Sequence, residues 1–260
     1  MYNFNGKVTV ITGASSGIGA ATAVLFARLG ANLVLSGRNE ANLQRTRDEC
    51  VRVRHSDAEQ PLVVIADMYS EADVARLVDA TIGKFGRMDI LVNNAGVYEM
   101  GSIETTSLEQ YDRIMNINLR ATYQLTMLCV PHLTATCGNI VNVSSMNGTC
   151  TFPGDLAYSL SKAAVDQLTR CTALELASKG VRVNSVNPGV TVTEIHKRAG
   201  MSDDEYAKFF ERSKTTHPLG RVGDVEEVAQ AIAFLASSSV SFITGELLHI
   251  DGGRHAACLH

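Results

Sequence analysis

Tryptophan is absent from this chain of 260 residues, and proline is scarce, with only five residues. The six cysteines are scattered without a Cys-x-x-Cys pair, and the histidines form no His-x-x-x-His pair. These absences exclude a disulfide framework and a zinc site of the usual spacing, so we expect no bound metal. Unpaired cysteines are typical of proteins from a reducing compartment.

Neither sign of charge dominates the chain, which has 23 basic and 27 acidic residues and a net charge of -4. Such a mixture excludes the basic surfaces that bind nucleic acids or anionic membranes. No apolar run approaches membrane-spanning length, and residues 1–7 lack the pattern of a signal peptide. We therefore expect a cytoplasmic protein with neither a nucleic acid nor a membrane as partner.

Short β-branched runs alternate with helical patterns along the whole chain, which contains 45% hydrophobic residues. This alternation predicts an α/β fold of the Rossmann-like, doubly wound type, with about seven parallel strands and helices on both faces. No change in composition marks a boundary, so residues 1–260 are predicted to form a single domain. Helices are predicted from about 40 to 60 and from about 108 to 129, and an insertion with short helices at 190–220.

A glycine-rich turn follows the first predicted strand, Val8–Ile11, and precedes a helix. It reads Thr12-Gly-Ala-Ser-Ser-Gly-Ile-Gly19, a Gly-x3-Gly-x-Gly spacing. Glycines let a pyrophosphate approach the N–H groups at a helix N-terminus. The turn therefore predicts a nucleotide-binding site.

The second strand ends in Ser36-Gly37-Arg38-Asn39, where a carboxylate would bind the ribose of NAD. A guanidinium stands there instead, and it would attract the 2'-phosphate of NADP. The alternative interpretation is that Arg38 is a solvated loop cation.

Other predicted strands also end in polar or small residues, at the edge where open α/β sheets bind ligands. Asp67 could accept a hydrogen bond from adenine, or it could cap the next helix together with Ser70. Asn93-Asn94-Ala95-Gly96 could shape a cofactor site or only a turn. Ser144-Ser145 and Asn187-Pro188-Gly189 follow the fifth and sixth strands.

Tyr158 and Lys162 are spaced four residues apart on a predicted helix, so they share one face. A nearby ammonium lowers the pKa of a phenol, and the pair could form a general acid/base near neutral pH. An ordinary amphipathic surface pair has the same spacing. Asn118 lies within a predicted helix, where asparagine is mildly unfavourable, so it has either a special role or none.

Taken together, these segments resemble the short-chain dehydrogenase/reductase family over nearly the whole chain. The matching motifs, in the family's order, are Thr12-Gly-x3-Gly-Ile-Gly19, Asn93-Asn-Ala-Gly96, Asn118, Ser145, Tyr158-x3-Lys162 and Asn187-Pro-Gly189. The resemblance implies that Tyr158 exchanges a proton with the substrate oxygen and that Ser145 holds this oxygen. It also implies that Lys162 tunes Tyr158 and binds the nicotinamide ribose, and that Asn118 shapes a helix kink.

The same resemblance implies a nicotinamide cofactor, and Arg38 favours NADP(H) over NAD(H). The residues expected to contact it are Gly13, Ser15, Ser16, Gly17, Ile18, Gly19, Arg38, Asn39, Asp67, Met68, Asn94, Ala95, Gly96, Tyr158, Lys162, Pro188, Gly189, Val190, Thr191 and Thr193. The family's usual states further imply a homo-oligomer, with a tetramer preferred to a dimer.

In this family the segment after Asn187-Pro188-Gly189, here about 190–220, covers the substrate as a flap. Tyr206, Phe209 and Phe210 share one helix face there, and they either line the substrate pocket or only anchor the flap. The other apolar candidates for the pocket are Met100, Met146, Phe152, Ile195 and Met201. Glu194, His196 and Lys197 form no obvious clamp for an anion.

We therefore predict an oxidoreductase that transfers a hydride between NADP(H) and a neutral, lipophilic ketone or secondary alcohol. The enzymatic alternatives are a 3-oxoacyl-carrier-protein type of reductase and an NAD-dependent alcohol dehydrogenase, and a sugar ranks lower as substrate. A nucleotide-binding regulator is the non-enzymatic alternative. His249 and the tail from Arg254 to His260 match nothing in the family pattern.

Overall fold

A computed structural model describes residues 2–257 of the chain. Seven strands form one parallel sheet in the order β3-β2-β1-β4-β5-β6-β7. The strands are β1 (Val8–Thr12), β2 (Asn32–Gly37), β3 (Leu62–Ile65), β4 (Ile90–Asn93), β5 (Asn139–Val143), β6 (Arg182–Pro188) and β7 (Leu247–Ile250). This arrangement confirms the predicted Rossmann-like fold.

Helices cover both faces of the sheet. They are α1 (Gly17–Arg28), α2 (Glu40–Val53), α3 (Glu71–Phe85), α4 (Leu108–Met115), α5 (Ala121–Thr136), α6 (Leu156–Ala177), α7 (Ile195–Arg198), α8 (Asp203–Thr216) and α9 (Val225–Ala236). One core forms under α1, α2 and α9, around Phe26, Leu43 and Ile232. The other forms under α3, α5 and α6, around Leu77 and Leu125.

The central strands are buried along their whole length because both faces of a parallel sheet are covered. All five residues of β1 are buried, and so are all five of β5. The chain leaves β1 toward β2 and β3 and later returns to place β4 on the other side of β1. Such a reversal opens a crevice at the carboxyl ends of β1 and β4, where doubly wound folds bind their ligands.

Two predicted helices differ from the observed ones. The helix predicted at about 40–60 ends at Val53. The helix predicted at about 108–129 is divided by a π-helical turn, Asn116–Arg120, and its second part continues through Pro131 to Thr136. It stops where Cys137 adopts a left-handed conformation, with φ of 49°, before Gly138. No helix within residues 2–257 is both long enough and apolar enough to cross a bilayer.

The amino end of the sheet is held by Asp89, a buried carboxylate that accepts hydrogen bonds from the Val8 N–H and from Lys7 and Arg87. Burial by itself raises the pKa of Asp89, but these donors outweigh it and the net pKa is lowered. A carboxyl with a lowered folded-state pKa stabilises the fold above its unfolded pKa of about 3.9, and this stability is lost as the pH falls.

We predict that Asp89→Asn lowers the free energy of unfolding at neutral pH by about 1–3 kcal/mol, because the buried Val8 N–H and two half-exposed cations lose a charged acceptor. The loss of stability on acidification should also be shallower in this variant than in the wild type. Urea unfolding followed by circular dichroism at several pH values measures both effects. Asp79→Asn, which changes an exposed carboxylate on α3, serves as the control. Equal stability of Asp89→Asn and the control would contradict the prediction.

Candidate active site

The glycine-rich turn after β1 packs so closely against neighbouring atoms that side chains would not fit at its glycine positions. Gly13 and Gly17 adopt left-handed conformations, with φ of 64° and 54°. A Cβ atom on Gly19 would lie 2.3 Å from the carbonyl oxygen of Gly13 and 2.5 Å from Nδ2 of Asn94. The N-terminus of α1 therefore opens directly onto the cleft, lined also by Ser15, Ser16 and Ile18.

Asn94 links the ends of β1 and β4 across the crevice. Its Nδ2 atom donates to the carbonyl oxygen of Thr12 at 2.8 Å. In return, the Thr12 hydroxyl oxygen accepts from the N–H groups of Asn94 and Ala95 at 2.9 and 3.0 Å. The amide thus fixes neighbouring backbone, while Asn94, Ala95 and Gly96 all line the cleft.

The ends of β2 and β3 form the wall beside this crevice. Arg38 is exposed and lines the cleft, and within residues 2–257 its guanidinium forms no ion pair. Asn39 also lines the cleft, but its side chain caps α2 by accepting from the Asn42 N–H. Met68 lies on the same wall.

Of the two roles weighed for Asp67, the helix cap belongs to Ser70, whose hydroxyl accepts from the Asp73 N–H at 3.3 Å. The Asp67 carboxylate accepts from the Tyr69 N–H at 3.0 Å. It nevertheless lines the cleft, so contact with adenine stays a prediction.

Tyr158 and Lys162 share one face of α6, and both line the cleft together with Ser145. The Lys162 Nζ atom lies 5.6 Å from the centre of the Tyr158 ring and donates to the Val143 carbonyl oxygen at 2.9 Å. Ser145 follows β5, and its hydroxyl oxygen accepts from the Asn147 N–H at 3.2 Å. Two different elements therefore bring a phenol, a hydroxyl and an ammonium together.

Asn118 lies in the π-helical turn and is buried behind this group. Its Oδ1 atom accepts from the Val97 N–H, and its Nδ2 atom donates to the Val97 carbonyl oxygen and to the Ser161 hydroxyl. The side chain is thus fully engaged with the loop after β4 and with α6. The asparagine that is unfavourable in a regular helix coincides with an irregular turn, as the family resemblance implied.

The direction of one pKa shift differs from the prediction. Burial raises the pKa of Tyr158 to about 12, with the Asp155 carboxylate acting in the same direction and the Ser145 hydroxyl opposing. Burial also lowers the pKa of Lys162 to about 8, although Asp166 opposes this change. The expected lowering by Lys162 is not seen, because burial is the largest influence on this phenol, and the phenol is protonated at neutral pH.

The loop after β6 closes the cleft from the other side. Pro188, Gly189, Val190, Thr191 and Thr193 line it. A Cβ atom on Gly189 would lie 2.8 Å from Nε2 of His217 and 2.9 Å from Cα of Asp251. Further along, Nη2 of Arg198 donates to the Ser16 hydroxyl at 2.7 Å, so the 190–220 segment contacts the glycine-rich turn.

The three aromatic residues of α8 divide into two groups, of which only the first lines the cleft. Phe209 lines the cleft, whereas Tyr206 and Phe210 do not. The rings of Tyr206 and Phe210 pack 4.4 Å apart, and the Tyr206 hydroxyl donates to the Thr193 carbonyl oxygen. The other apolar candidates, Met100, Met146, Phe152, Ile195 and Met201, all line the cleft.

Several polar residues of the cleft were missed in the sequence. The Tyr98 ring meets the Tyr158 ring edge-on at 5.1 Å, and its hydroxyl donates to Asp155 at 2.7 Å. Asn147 donates to the second oxygen of Asp155 at 2.9 Å. Arg198, Arg212 and Arg254 also line the cleft, which has a volume of about 1000 Å³. In the sequence, only their positions after predicted strands or within the 190–220 segment indicated that these residues could reach the cleft.

The chain is similar to known proteins over nearly its whole length. Residues 13–255 match the family model described as enoyl-(acyl carrier protein) reductase. A 3-oxoacyl-[acyl-carrier-protein] reductase of Thermotoga maritima is 37% identical, covering 95% of this chain and 97% of its own length. Cyclohexanol dehydrogenase of an Acinetobacter strain is also 37% identical, over 96% and 95% of the two chains. L-fucose dehydrogenase of Bos taurus is 36% identical, over 96% and 90%.

Solved structures agree with these relatives. A short-chain dehydrogenase/reductase of unknown function from Caenorhabditis elegans, solved with cofactor, superimposes with a TM-score of 0.91 at 38% identity, covering 98% of this chain and 97% of its own. A 3-ketoacyl-(acyl-carrier-protein) reductase from Brucella melitensis in complex with NADH gives 0.87 at 34% identity, over 96% and 99%.

We predict that Tyr158→Phe lowers kcat by roughly 10²–10⁴-fold, the usual effect of losing a general acid, while cofactor affinity stays nearly unchanged. The ring and its contact with Tyr98 remain, so only the hydroxyl with its proton is lost. Steady-state kinetics and cofactor titration by fluorescence measure the two effects. Tyr111→Phe, which removes a hydroxyl outside the cleft, is the control. Near-normal turnover in Tyr158→Phe would rule out the assigned role.

Proposed function

The chain belongs to the short-chain dehydrogenase/reductase family of oxidoreductases, and from this premise we propose that it transfers a hydride between NADP(H) and a lipophilic ketone or secondary alcohol. The observation that carries the proposal is the convergence of Tyr158, Ser145 and Lys162 beside a glycine turn with no room for side chains. A pure nucleotide-binding regulator would need the turn but not the phenol and hydroxyl.

In the proposed reaction the bound cofactor supplies or accepts the hydride. The Ser145 hydroxyl donates a hydrogen bond to the substrate oxygen, where negative charge develops as a carbonyl is reduced. The Tyr158 phenol delivers the proton that this oxygen takes up. Burial and Asp155 favour the protonated phenol, the form that can donate a proton during reduction. Asn118 holds α6 and the loop after β4 in register.

Arg38 supports NADP(H) as the cofactor. It follows β2, it is exposed, and among the described residues it has no carboxylate partner that would compete with a phosphate. No carboxylate occupies the Ser36–Asn39 stretch, where one would bind a ribose hydroxyl and repel a 2'-phosphate. The Brucella relative in complex with NADH shows that related folds also accept the other cofactor, so the choice depends on these few residues.

The cleft wall supports a substrate with an apolar body. Methionine, phenylalanine and isoleucine side chains of the loops after β4 and β5 and of the 190–220 segment line it. Cyclohexanol dehydrogenase, a relative with 37% identity, acts by its name on a cyclic alcohol. A β-ketoacyl thioester is the second candidate substrate, because the 3-oxoacyl-[acyl-carrier-protein] reductase is also 37% identical to this chain. A panel of cyclic ketones, acetoacetyl-coenzyme A and free sugars, compared by kcat/KM with NADPH, separates these classes.

A homo-oligomer, with a tetramer preferred to a dimer, and a cytoplasmic location remain further parts of the proposal. The outer faces of α5 and α6 support the first, since Tyr123, Met127, Leu160 and Leu174 are exposed there, Leu174 by 81%. Large exposed apolar side chains are typical of protein interfaces. Light scattering during size-exclusion chromatography measures the assembly directly.

We predict that Arg38→Leu weakens NADPH binding by roughly 10- to 100-fold, the equivalent of about 1.5–3 kcal/mol for a hydrogen bond to a charged group, and leaves NADH unaffected. Gly37→Asp should shift preference toward NADH, and it fits because the nearest atom to a new Cβ is 3.4 Å away. Fluorescence titration with both cofactors measures these affinities, with Arg28→Leu as the control. Tighter binding of NADH than NADPH by the wild type would overturn the NADP(H) proposal.

A further inference from the structure

Arg254 is held in the wall of the cleft by a rigid turn after β7. The buried Asp251 carboxylate accepts from the Gly253 N–H at 3.1 Å and from the His255 N–H at 2.7 Å. Gly252 and Gly253 adopt left-handed conformations, with φ of 59° and 85°. This turn directs the Arg254 side chain back over the sheet, and the residue lines the cleft that holds Tyr158.

The guanidinium of Arg254 lies over the Phe152 ring, 4.4 Å from its centre. Its Nε atom is buried and has no hydrogen-bond partner, and the group forms no ion pair within residues 2–257. Burial lowers the pKa of Arg254, with the Asp155 carboxylate opposing. Since arginine stays protonated in proteins, the cleft contains a half-buried positive charge that has no direct ion-pair partner among the described residues and whose plane lies against Phe152.

The carboxylates that act on Arg254 are already engaged by other donors. Both oxygens of Asp155 accept hydrogen bonds, from Tyr98 and Asn147. Asp251 accepts from the N–H groups of its own turn, as described above. Arg212 of α8 lines the same cleft and acts electrostatically on Arg254 as a second guanidinium. Two guanidinium groups are thus placed near carboxylates whose oxygens already accept hydrogen bonds from other groups.

We propose that Arg254, assisted by Arg212, binds a carboxylate of the substrate, so that the preferred substrate is an oxo acid and its hydroxy acid counterpart. A guanidinium held flat on a ring offers paired N–H groups that match a carboxylate. The apolar wall then contacts the methylene chain between carboxylate and ketone. The reacting carbon gains a hydride and its oxygen gains the proton of Tyr158, while the carboxylate is unchanged.

This proposal rests on the proposed hydride transfer and revises the expectation of a neutral substrate. A neutral substrate was expected because Glu194, His196 and Lys197 of the 190–220 segment form no clamp for an anion. The arginines of α8 and of the turn after β7 reach the cleft only in the folded chain. An apolar substrate body remains compatible with the inference, since the methionine and phenylalanine side chains line the same cleft.

The test compares oxo acids, with two, three or four methylenes between ketone and carboxylate, against their methyl esters. The series allows for the span between Arg254 and Tyr158. With NADPH, we expect the wild type to prefer the best acid over its ester by roughly 10- to 100-fold in kcat/KM. Arg254→Leu should abolish this preference mainly through KM, with activity on the ester retained. Arg254→Lys should keep part of it, and Arg212→Leu should reduce it less.

Arg52→Leu, which removes an exposed guanidinium at the end of α2, is the matched control and should keep the full preference. Equal kcat/KM for acids and esters in the wild type would overturn the carboxylate site, even if Arg254→Leu failed to fold, and would leave the hydride transfer intact. A strong preference for acetoacetyl-coenzyme A or a free sugar that is unchanged in Arg254→Leu would also overturn the carboxylate site. Absence of NADPH oxidation with every ketone would instead contradict the proposed function itself.

Discussion

Parallel strand pairing is the constraint on which the rest of this structure depends. Because all seven strands run in one direction, every strand ends at the same edge of the sheet, and the loops after β1, β2, β4, β5, β6 and β7 meet there. Residues as distant in sequence as Gly13 and Arg254 therefore line one cleft. The reversal of strand order between β1 and β4 provides the opening, and the Asn94–Thr12 hydrogen bonds keep its walls together.

Burial then sets the chemistry of the groups that meet at this edge. The same desolvation raises the pKa of Tyr158 and lowers that of Lys162, so each group shifts toward its neutral form. Asp166 opposes the shift of Lys162, and Asn187 donates to both oxygens of Asp166. The carboxyl end of β6 is thereby connected to the lysine of α6, so packing and proton chemistry depend on the same buried contacts.

The repeated alternation of strands and helices could be predicted from the sequence because local residue patterns determine it. β1, β5 and the glycine turn lie where the β-branched runs and glycine spacing indicated. The π-helical turn at Asn116–Arg120 was not predictable from periodicity, because it depends on the hydrogen bonds of Asn118 with Val97 across the chain. The end of α2 at Val53 was missed for a different reason, since the polar residues that follow continue a helical composition.

The cleft charges were the least predictable feature, because they come from segments that only the folded sheet brings together. Asp155 lies near Tyr158 and favours the protonated phenol, which suits an acid that gives its proton to a carbonyl oxygen. An entering carboxylate would be repelled by Asp155 alone. The guanidinium groups of Arg212 and Arg254 offset this repulsion, so the proposed anion site is compatible with a Tyr158 that stays protonated.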